Sequence, residues 1–272
     1  MNVAIVGRGR VGRALAKALE GTIHRPSLHR GSAPKKRTAT DLPPDDADAL
    51  VLAVPDAAIA ATAARLDGCA PHAVRLHCSG SVPYTALGEG PGARGAMHPL
   101  VSFPHPRSAP SLAGATFVIA GEPRAKRTAA AIARAIGARP LLKEIHGPTY
   151  HAAAALAANG AAAVADVAVR VLVAEGLARR DAERAIGALL RSVAENVEHV
   201  GVPHALSGPI VRGDAGTVRA HRAALRDSDP SAADAYDALA PIILDCARRA
   251  GLGEGKAEEL AAVLGRTRRR RS

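Results

Sequence analysis

The chain begins with a short apolar run that passes directly into a glycine-rich turn. Val3–Val6 has the composition of a strand buried on both faces, and VGRGRVG (residues 6–12) follows at once. From Val11 onward, apolar residues recur at helical spacing. In a strand–turn–helix unit of this kind, the three glycines permit the turn, the approach of a phosphate and close packing of helix on strand. The stretch therefore predicts a dinucleotide site at the start of a helix.

Strand and helix patterns alternate through the first half of the chain. Strand patterns follow at residues 49–54, 73–77, 116–120 and 139–143. A short one in ARGAMHPL (93–100) ends near His98-Pro99, and a weakly marked one lies around 27–28. This alternation is typical of a parallel, doubly wound sheet. The ends of such strands meet at one edge, where ligands bind, and here they bring together Gly7, Pro55, Ser79 and His98.

The second half has no convincing strand pattern. Its apolar spacing predicts helices over residues 149–175, 181–200, 215–226, 230–249 and 255–264. The predicted fold class is α/β, with a doubly wound, mostly parallel sheet followed by an all-α domain. The predicted division is a dinucleotide-binding domain over 1–147, an all-α substrate and dimerisation domain over 148–265, and a basic, disordered tail over 266–272.

The form of the dinucleotide is predicted from the second strand and the segment after it. NAD-binding sites usually place Asp or Glu about 20 residues after the glycines, where it binds the ribose 2′-OH. The segment SLHRGSAPKKR (residues 27–37) has no acid, whereas Arg30 and Ser32 suit a 2′-phosphate. We therefore predict NADP(H). The residues assigned to it are Gly7, Arg8, Gly9, Arg10, Val11, Gly12, Arg30, Ser32, Val54, Pro55 and Ser79.

The net charge of +11 raises the question of a nucleic-acid partner. Five arginines of the C-terminal GRTRRRRS (residues 265–272) account for much of this charge, and aromatic residues make up only 2% of the chain. No nucleic-acid-binding motif is found, so we expect no such partner. The positive charge elsewhere suits an anionic cofactor and an anionic substrate.

Cysteine use and hydropathy predict a cytoplasmic protein. The three cysteines lack metal-ligand spacing, which predicts reduced thiols and no metal site. A strand begins directly after Met1, so no signal peptide is expected. The most apolar stretch, residues 152–177, is interrupted by Asn159, Asp166, Arg170 and Glu175, which predicts a buried helix rather than a membrane span.

The chain resembles proteins with a Rossmann-like N-terminal half and a C-terminal domain of unknown function 2520. The resemblance is carried by VGRGRVG, LAVPD (52–56), LHCSGS (76–81), HPLVSFP (98–104), YHAAAALAAN (150–159) and ALSGPIVRGDAGTVRAHRAAL (205–225). That family is similar to two-domain reductases with a 6-phosphogluconate-dehydrogenase-like helical half, among them ketopantoate reductase and pyrroline-5-carboxylate reductase. The resemblance implies NADPH-linked hydride transfer, an active site between the halves and a homodimer formed through the helices.

Candidate catalytic residues lie in the helical half. Several reductases of the wider group carry Lys on the first long helix of this half, followed by Asn; the corresponding series here is His151, Ala155, Asn159. His151 and Asn159 share one helix face, so we predict His151 as the proton donor and Asn159 as an orienting group. A structural role for His151 at a domain seam is the alternative. Ser207 and Asp214 are further catalytic candidates, with capping of the next helix as the alternative for Asp214.

These features predict an NADPH-dependent reductase that acts on a small carbonyl acid, a ketopantoate-like 2-oxo acid. Carbonyl reduction needs a hydride from the cofactor and a proton from the protein. Tyr150 lies about 100° from His151 around the helix and ranks below it as a donor. His98 either lines the site or is structural. The alternatives are an imine reductase of the pyrroline-5-carboxylate reductase type and a non-catalytic NADP(H)-binding protein.

Overall fold

The computed structural model describes residues 1–20, 25–29, 43–104 and 110–265. The chain divides into two compact units, Met1–Ala158 and Asn159–Ser272. The boundary predicted from the sequence, after residue 147, falls where a long helix begins. The difference arises because the first turns of that helix contact the sheet of the first unit, through Tyr150 and His98.

The first unit is built on a seven-stranded sheet. Its elements are β1 (Asn2–Val6), α1 (Arg10–Leu19), β2 (Arg25–His29), β3 (Ala49–Leu52), α2 (Ile59–Arg65), β4 (Val74–His77), β5 (Arg94–Pro99), β6 (Thr116–Gly121), α3 (Pro123–Ala135) and β7 (Arg139–Leu142). The strand order is β2-β1-β3-β4-β5-β6-β7, and every neighbouring pair is parallel except β5 with β6. The predicted α/β class with a mostly parallel sheet is confirmed.

The central strands are apolar throughout because both faces of the sheet are covered. Val3 and Ile5 of β1 point into a core shared with α1, whereas Ala4 and Val6 point into a second core shared with α2. This alternation is what a strand with two buried faces requires. Few aromatic residues take part; Phe117 of β6 is fully buried, and alanines fill most of the α3 contact.

The second unit is helical throughout the part of the chain that the structure describes. Its elements are most of α4 (Pro148–Ala174), α5 (Arg179–Val200), α6 (Pro209–Arg212), α7 (Ala215–Ser228), α8 (Pro230–Arg249) and α9 (Glu254–Leu264). The last four helices share a core that includes Ile210, Val218, Leu244 and Leu260. The carboxylate of Asp229 caps α8 by accepting from two backbone N–H groups.

Helix α4 is not the buried helix that the sequence predicted. Of its residues only Val169 is buried, and Leu156 is 77% exposed. Among the described residues it is the one helix long and apolar enough to cross a membrane, with a mean hydropathy of 1.6 over its most apolar window. Near the end of α4, Arg170 forms an ion pair with Asp229, the residue before α8. The apolar side chains of α4 stay uncovered in the single chain.

Candidate active site

The glycine turn after β1 is shaped by two backbone contacts. Gly7 has φ +124°, and a Cβ there would lie 2.2 Å from the carbonyl oxygen of Ala53. A Cβ at Gly12 would lie 1.9 Å from the carbonyl oxygen of Gly7, so α1 packs directly against the end of β1. The protein's own packing therefore requires glycine at both positions.

At Gly9, the N-cap of α1, packing does not require glycine. A Cβ at this position would meet nothing closer than the Ala53 carbonyl oxygen, at 3.9 Å. No side-chain hydrogen bond from the described residues caps α1, and its first turn holds no acidic residue. Packing thus does not explain the glycine, whereas a phosphate that approaches the backbone at a helix N-terminus does. The space beside Gly9 is a cradle that fits a phosphate group.

The two arginines of the turn are both exposed. Arg8 accepts a hydrogen bond on its carbonyl oxygen from Arg13. Arg10 donates through Nη1 to the carbonyl oxygen of Phe103, at 2.6 Å, and so links α1 to the segment after β5. Val11 is half-buried against the core. Both arginines lie beside the cradle, as predicted for a cofactor phosphate.

The remaining residues assigned to the cofactor follow β3 and β4. Val54 packs beside Gly7, and Pro55 comes next in the chain. The hydroxyl of Ser79 accepts from the backbone N–H groups of Ser81 and Val82, at 3.1 and 3.0 Å. The Ser79 oxygen therefore shapes its own loop. The other two residues assigned to the cofactor, Arg30 and Ser32, lie outside the described residues.

A cluster of polar side chains lies where β4 and β5 end. His77 is the last residue of β4, and His98 lies one residue before the end of β5. His146 precedes α4, and Tyr150 lies in its first turn. The Tyr150 hydroxyl is 2.7 Å from Nδ1 of His98, and the His146 ring lies 5.9 Å from the Tyr150 ring, centroid to centroid. We call His77, His98, His146 and Tyr150 the histidine pocket.

The histidine pocket is held in place by the loop after β4. The Gly147 N–H donates to the carbonyl oxygen of Gly80, at 3.0 Å, and this bond fixes the start of α4 against that loop. A Cβ at Gly80 would lie 2.9 Å from the His98 ring. Glycine at this position therefore leaves room for the imidazole, and the ring is confined on that side.

Burial keeps the histidine pocket uncharged near neutral pH. Desolvation is the main cause that lowers the pKa of His77 to about 4 and that of His98 to about 4. Nearby His146 lowers both further, and its own pKa is also lowered by burial. Desolvation raises the pKa of Tyr150 to about 12. All four side chains are neutral at pH 7, so they act there as hydrogen-bond donors and acceptors.

Both ring nitrogens of His146 lack a hydrogen-bond partner among the described residues. His77 is fully buried and accepts from the Ser79 N–H through Nδ1, at 3.2 Å. Its Nε2 therefore carries the proton, and a backbone hydrogen bond with Pro83 raises the pKa of this ring against the larger effect of burial. A buried polar atom without a partner is costly, which marks the pocket as a place for a polar ligand. No three metal-binding side chains converge among the described residues, this pocket included.

The candidates on α4 are both exposed. The His151 ring lies 6.1 Å from the His98 ring, centroid to centroid, so the structure brings it next to the histidine pocket. Asn159 is the first residue of the second unit. The catalytic roles of both remain predictions. Sequence reasoning missed His77 and His146 and ranked Tyr150 below His151, although the positions of His77 and His98 at strand ends were a usable signal.

The two further candidates lie around α6. Ser207 is exposed in the segment before this helix. Both carboxylate oxygens of Asp214 accept from Thr217, one from its N–H at 2.9 Å and one from its hydroxyl at 2.6 Å. Asp214 is thus the N-cap of α7, which is the capping alternative weighed from the sequence. These bonds lower the pKa of Asp214. Because both oxygens are engaged, we leave Asp214 out of the proposed site.

Comparison with known proteins agrees with this architecture. Residues 115–243 match the family described as Domain of unknown function (DUF2520). The resemblance inferred from the motifs is confirmed. A search of curated proteins finds no match.

Solved structures share the fold over nearly the whole chain. Protein TM1727 from Thermotoga maritima is 23% identical, with 91% of this chain and 99% of that chain covered and a TM-score of 0.63. BF3122 from Bacteroides fragilis, assigned as an NADP oxidoreductase, is 20% identical, with coverage of 89% and 97% and a TM-score of 0.67. Pyrroline carboxylate reductase from Plasmodium falciparum, with NADP bound, is 15% identical, with coverage of 97% and 100% and a TM-score of 0.58. The Rossmann-like sheet followed by helices is thus a shared architecture.

Proposed function

We propose that the protein is an NADPH-dependent reductase of a small anionic carbonyl acid, of the 2-oxo acid class. One observation carries the proposal: an open cradle at Gly9 and a pocket with unpaired ring nitrogens lie at the same edge of one sheet. Support also comes from structures of similar fold, since the Plasmodium falciparum reductase holds NADP and a reductive aminase from Aspergillus terreus holds NADPH.

NADP(H) fits the residues at the cradle. The backbone at Gly9 and the start of α1 would hold the pyrophosphate, with the exposed guanidinium groups of Arg8 and Arg10 beside it. Arg30 and Ser32 are proposed to bind the 2′-phosphate. When bound, this cofactor supplies a hydride. In the loop after β4, Ser79 stays a candidate contact of the cofactor.

The chain's own side chains would bind the substrate oxygen atoms and deliver a proton. A ring N–H of His146 is a neutral donor without a partner among the described residues, which suits a carbonyl or carboxylate oxygen. Asn159 and Ser207 stay candidates for orienting the substrate. For the proton donor the start of α4 offers two side chains, the exposed His151 and the half-buried Tyr150.

A screen of NADPH oxidation against 2-oxo acids and cyclic imines tests the proposal. We expect turnover of a 2-oxo acid, with NADPH binding measured in parallel by fluorescence titration. Turnover of cyclic imines alone would favour an imine reductase. Tight NADPH binding without turnover of either group would favour a non-catalytic NADP(H)-binding protein.

We further propose that the protein is a homodimer formed through α4 and α5. Both helices leave large apolar side chains uncovered in the single chain; examples are Val164, Val173, Leu189 and Val193. A second copy of the chain would cover this surface.

The dimer is tested by light scattering coupled to size-exclusion chromatography. We expect Leu189→Glu to give a monomer, because it puts a charge into the apolar surface. Arg191→Glu lies on the opposite side of α5 and serves as the matched control. A wild-type protein that is monomeric at micromolar concentration contradicts the proposal.

A further inference from the structure

The Tyr150 hydroxyl is a positioned group. Its oxygen lies 2.7 Å from Nδ1 of His98, and the two rings meet edge to face at 86°. The His146 ring packs on its other side, 5.9 Å away by centroid. The bond from Gly147 to Gly80 fixes the turn of α4 that carries the phenol. A hydroxyl held from several directions at the ligand-binding edge of the sheet is suited to chemistry rather than to solvation.

His98 supports the phenol and can exchange a proton with it. The imidazole is confined by Gly80 on one side and by the Tyr150 ring on another. As a neutral ring it has one donor nitrogen and one acceptor nitrogen, so a proton can enter at one and leave from the other. By contrast, the His151 side chain is exposed, and its ring contact among the described residues is with the His98 ring, edge to face.

We propose that Tyr150 donates the proton to the substrate oxygen in the reduction, and that His98 positions the phenol and returns a proton to it. This inference rests on the proposed reductase function and assigns its proton donor, which the sequence had placed on His151. Tyr150 is thereby a catalytic residue. His98 is a positioning residue that acts through Tyr150.

The proton and electron balance of the step is complete. Reduction forms a C–H bond at the carbonyl carbon with a hydride, and the C=O electron pair moves onto the oxygen. The O–H bond of Tyr150 breaks as a new O–H bond forms on the substrate. In the same step the Nδ1 proton of His98 passes to the phenol oxygen while solvent delivers a proton to Nε2. The carbonyl is reduced to an alcohol, NADPH is oxidised to NADP⁺, and one proton is taken from solvent.

This donor suits a carbonyl substrate. Reduction of a carbonyl leaves an alkoxide, which is a stronger base than a phenolate, so the phenol of Tyr150 gives it a proton downhill.

The test compares three tyrosine and histidine variants of the full chain with the wild type, on the best 2-oxo acid from the screen. We expect Tyr150→Phe to lower kcat about 10²- to 10⁴-fold while the Kd for NADPH changes less than about twofold. The matched control is Tyr236→Phe, because Tyr236 also meets a histidine ring edge to face, that of His221, and should keep the wild-type kcat. His98→Gln keeps a hydrogen-bonding side chain but cannot relay a proton.

The role of His98 is read from solvent isotope effects. Two protons move in the wild type, so the dependence of kcat on the deuterium fraction should curve. In His98→Gln it should become linear, with kcat lowered about tenfold or more, which a merely structural role would not produce. Independently of turnover, the ¹⁵N resonance of the His98 Nδ1 should shift in Tyr150→Phe as the hydrogen bond is lost.

The outcomes distinguish an error in the assignment of Tyr150 as proton donor from an error in the proposed reductase function. Normal turnover by Tyr150→Phe, or its loss of NADPH binding, overturns Tyr150 as the donor. If His151→Ala then lacks turnover, the donor is His151, as predicted from the sequence. A wild type that binds NADPH but reduces no 2-oxo acid overturns the proposed function and this inference together. An unshifted His98 resonance in Tyr150→Phe overturns the pairing itself.

Discussion

Replacing Gly9 by alanine should separate ligand binding from folding. The backbone of Gly9 has φ −72° and ψ −172°, which any residue adopts, and an added Cβ meets only the Ala53 oxygen, at 3.9 Å. We therefore expect the free energy of unfolding to fall by at most about 1 kcal/mol, the size of a lost N-cap preference. NADPH affinity should fall at least about tenfold, or about 1.4 kcal/mol, because the methyl group fills the space that a phosphate needs.

Gly12→Ala is the matched control, since the same methyl group now meets backbone. Its Cβ would lie 1.9 Å from the Gly7 carbonyl oxygen, so strand and helix must move apart. We expect a loss of about 3 kcal/mol in the free energy of unfolding, the upper range for overpacking. Urea unfolding followed by circular dichroism gives the stabilities, and fluorescence titration gives NADPH affinity. The reasoning is refuted if Gly9→Ala binds NADPH like the wild type, or if it is destabilised as much as Gly12→Ala.

Three further perturbations test the cofactor, the histidine pocket and the α7 cap. NADPH should bind at least about tenfold more tightly than NADH, and Arg30→Glu should remove that preference; equal affinities in the wild type contradict the 2′-phosphate assignment. The pKa of His77 is lowered from 6.5 to about 4 in the fold, so between pH 7 and pH 5 the unfolded chain takes up the proton first and stability falls, by about 2 kcal/mol for this group. In His77→Leu, the free energy of unfolding measured with urea should lack this contribution to the fall between pH 7 and pH 5. A pH dependence equal to that of the wild type would contradict the lowered pKa of His77. Asp214→Ala should lower the free energy of unfolding, because α7 loses its N-cap, without changing turnover per folded molecule; a specific loss of kcat would restore Asp214 as a catalytic residue.

The strands and helices were predictable because the spacing of apolar residues in a short stretch of sequence indicates each one. The strand at Val3–Val6 and the helix capped by Asp229 depend on neighbours only a few residues away. Even the cap at Asp214 could be named as an alternative, since Thr217 lies three residues on. Local patterns of this kind can be recognised in the sequence without knowledge of the rest of the fold.

What could not be predicted depends on contacts between distant parts of the chain. His98 and Tyr150 are 52 residues apart, and their bond requires both the register of β5 and the place where α4 begins. The exposure of α4 was missed for another reason. An apolar, alanine-rich helix has the same sequence pattern whether its own chain or another molecule covers it. The pattern of α4 therefore predicted a buried helix, although the Leu156 side chain is exposed.

The antiparallel pairing of β5 with β6 bears on how substrate range can diverge among related proteins. Pro99 pairs with Phe117, so the chain leaves β5 and enters β6 at the same edge of the sheet, the one that carries His98. Parallel neighbours need a crossover before the next strand can start. An antiparallel connection such as the one from β5 to β6 needs none, so its length is not bound to a helix or to a strand register. Evolution can therefore edit this stretch beside the ligand-binding edge while the scaffold stays fixed, and directed libraries aimed at new substrates belong there first.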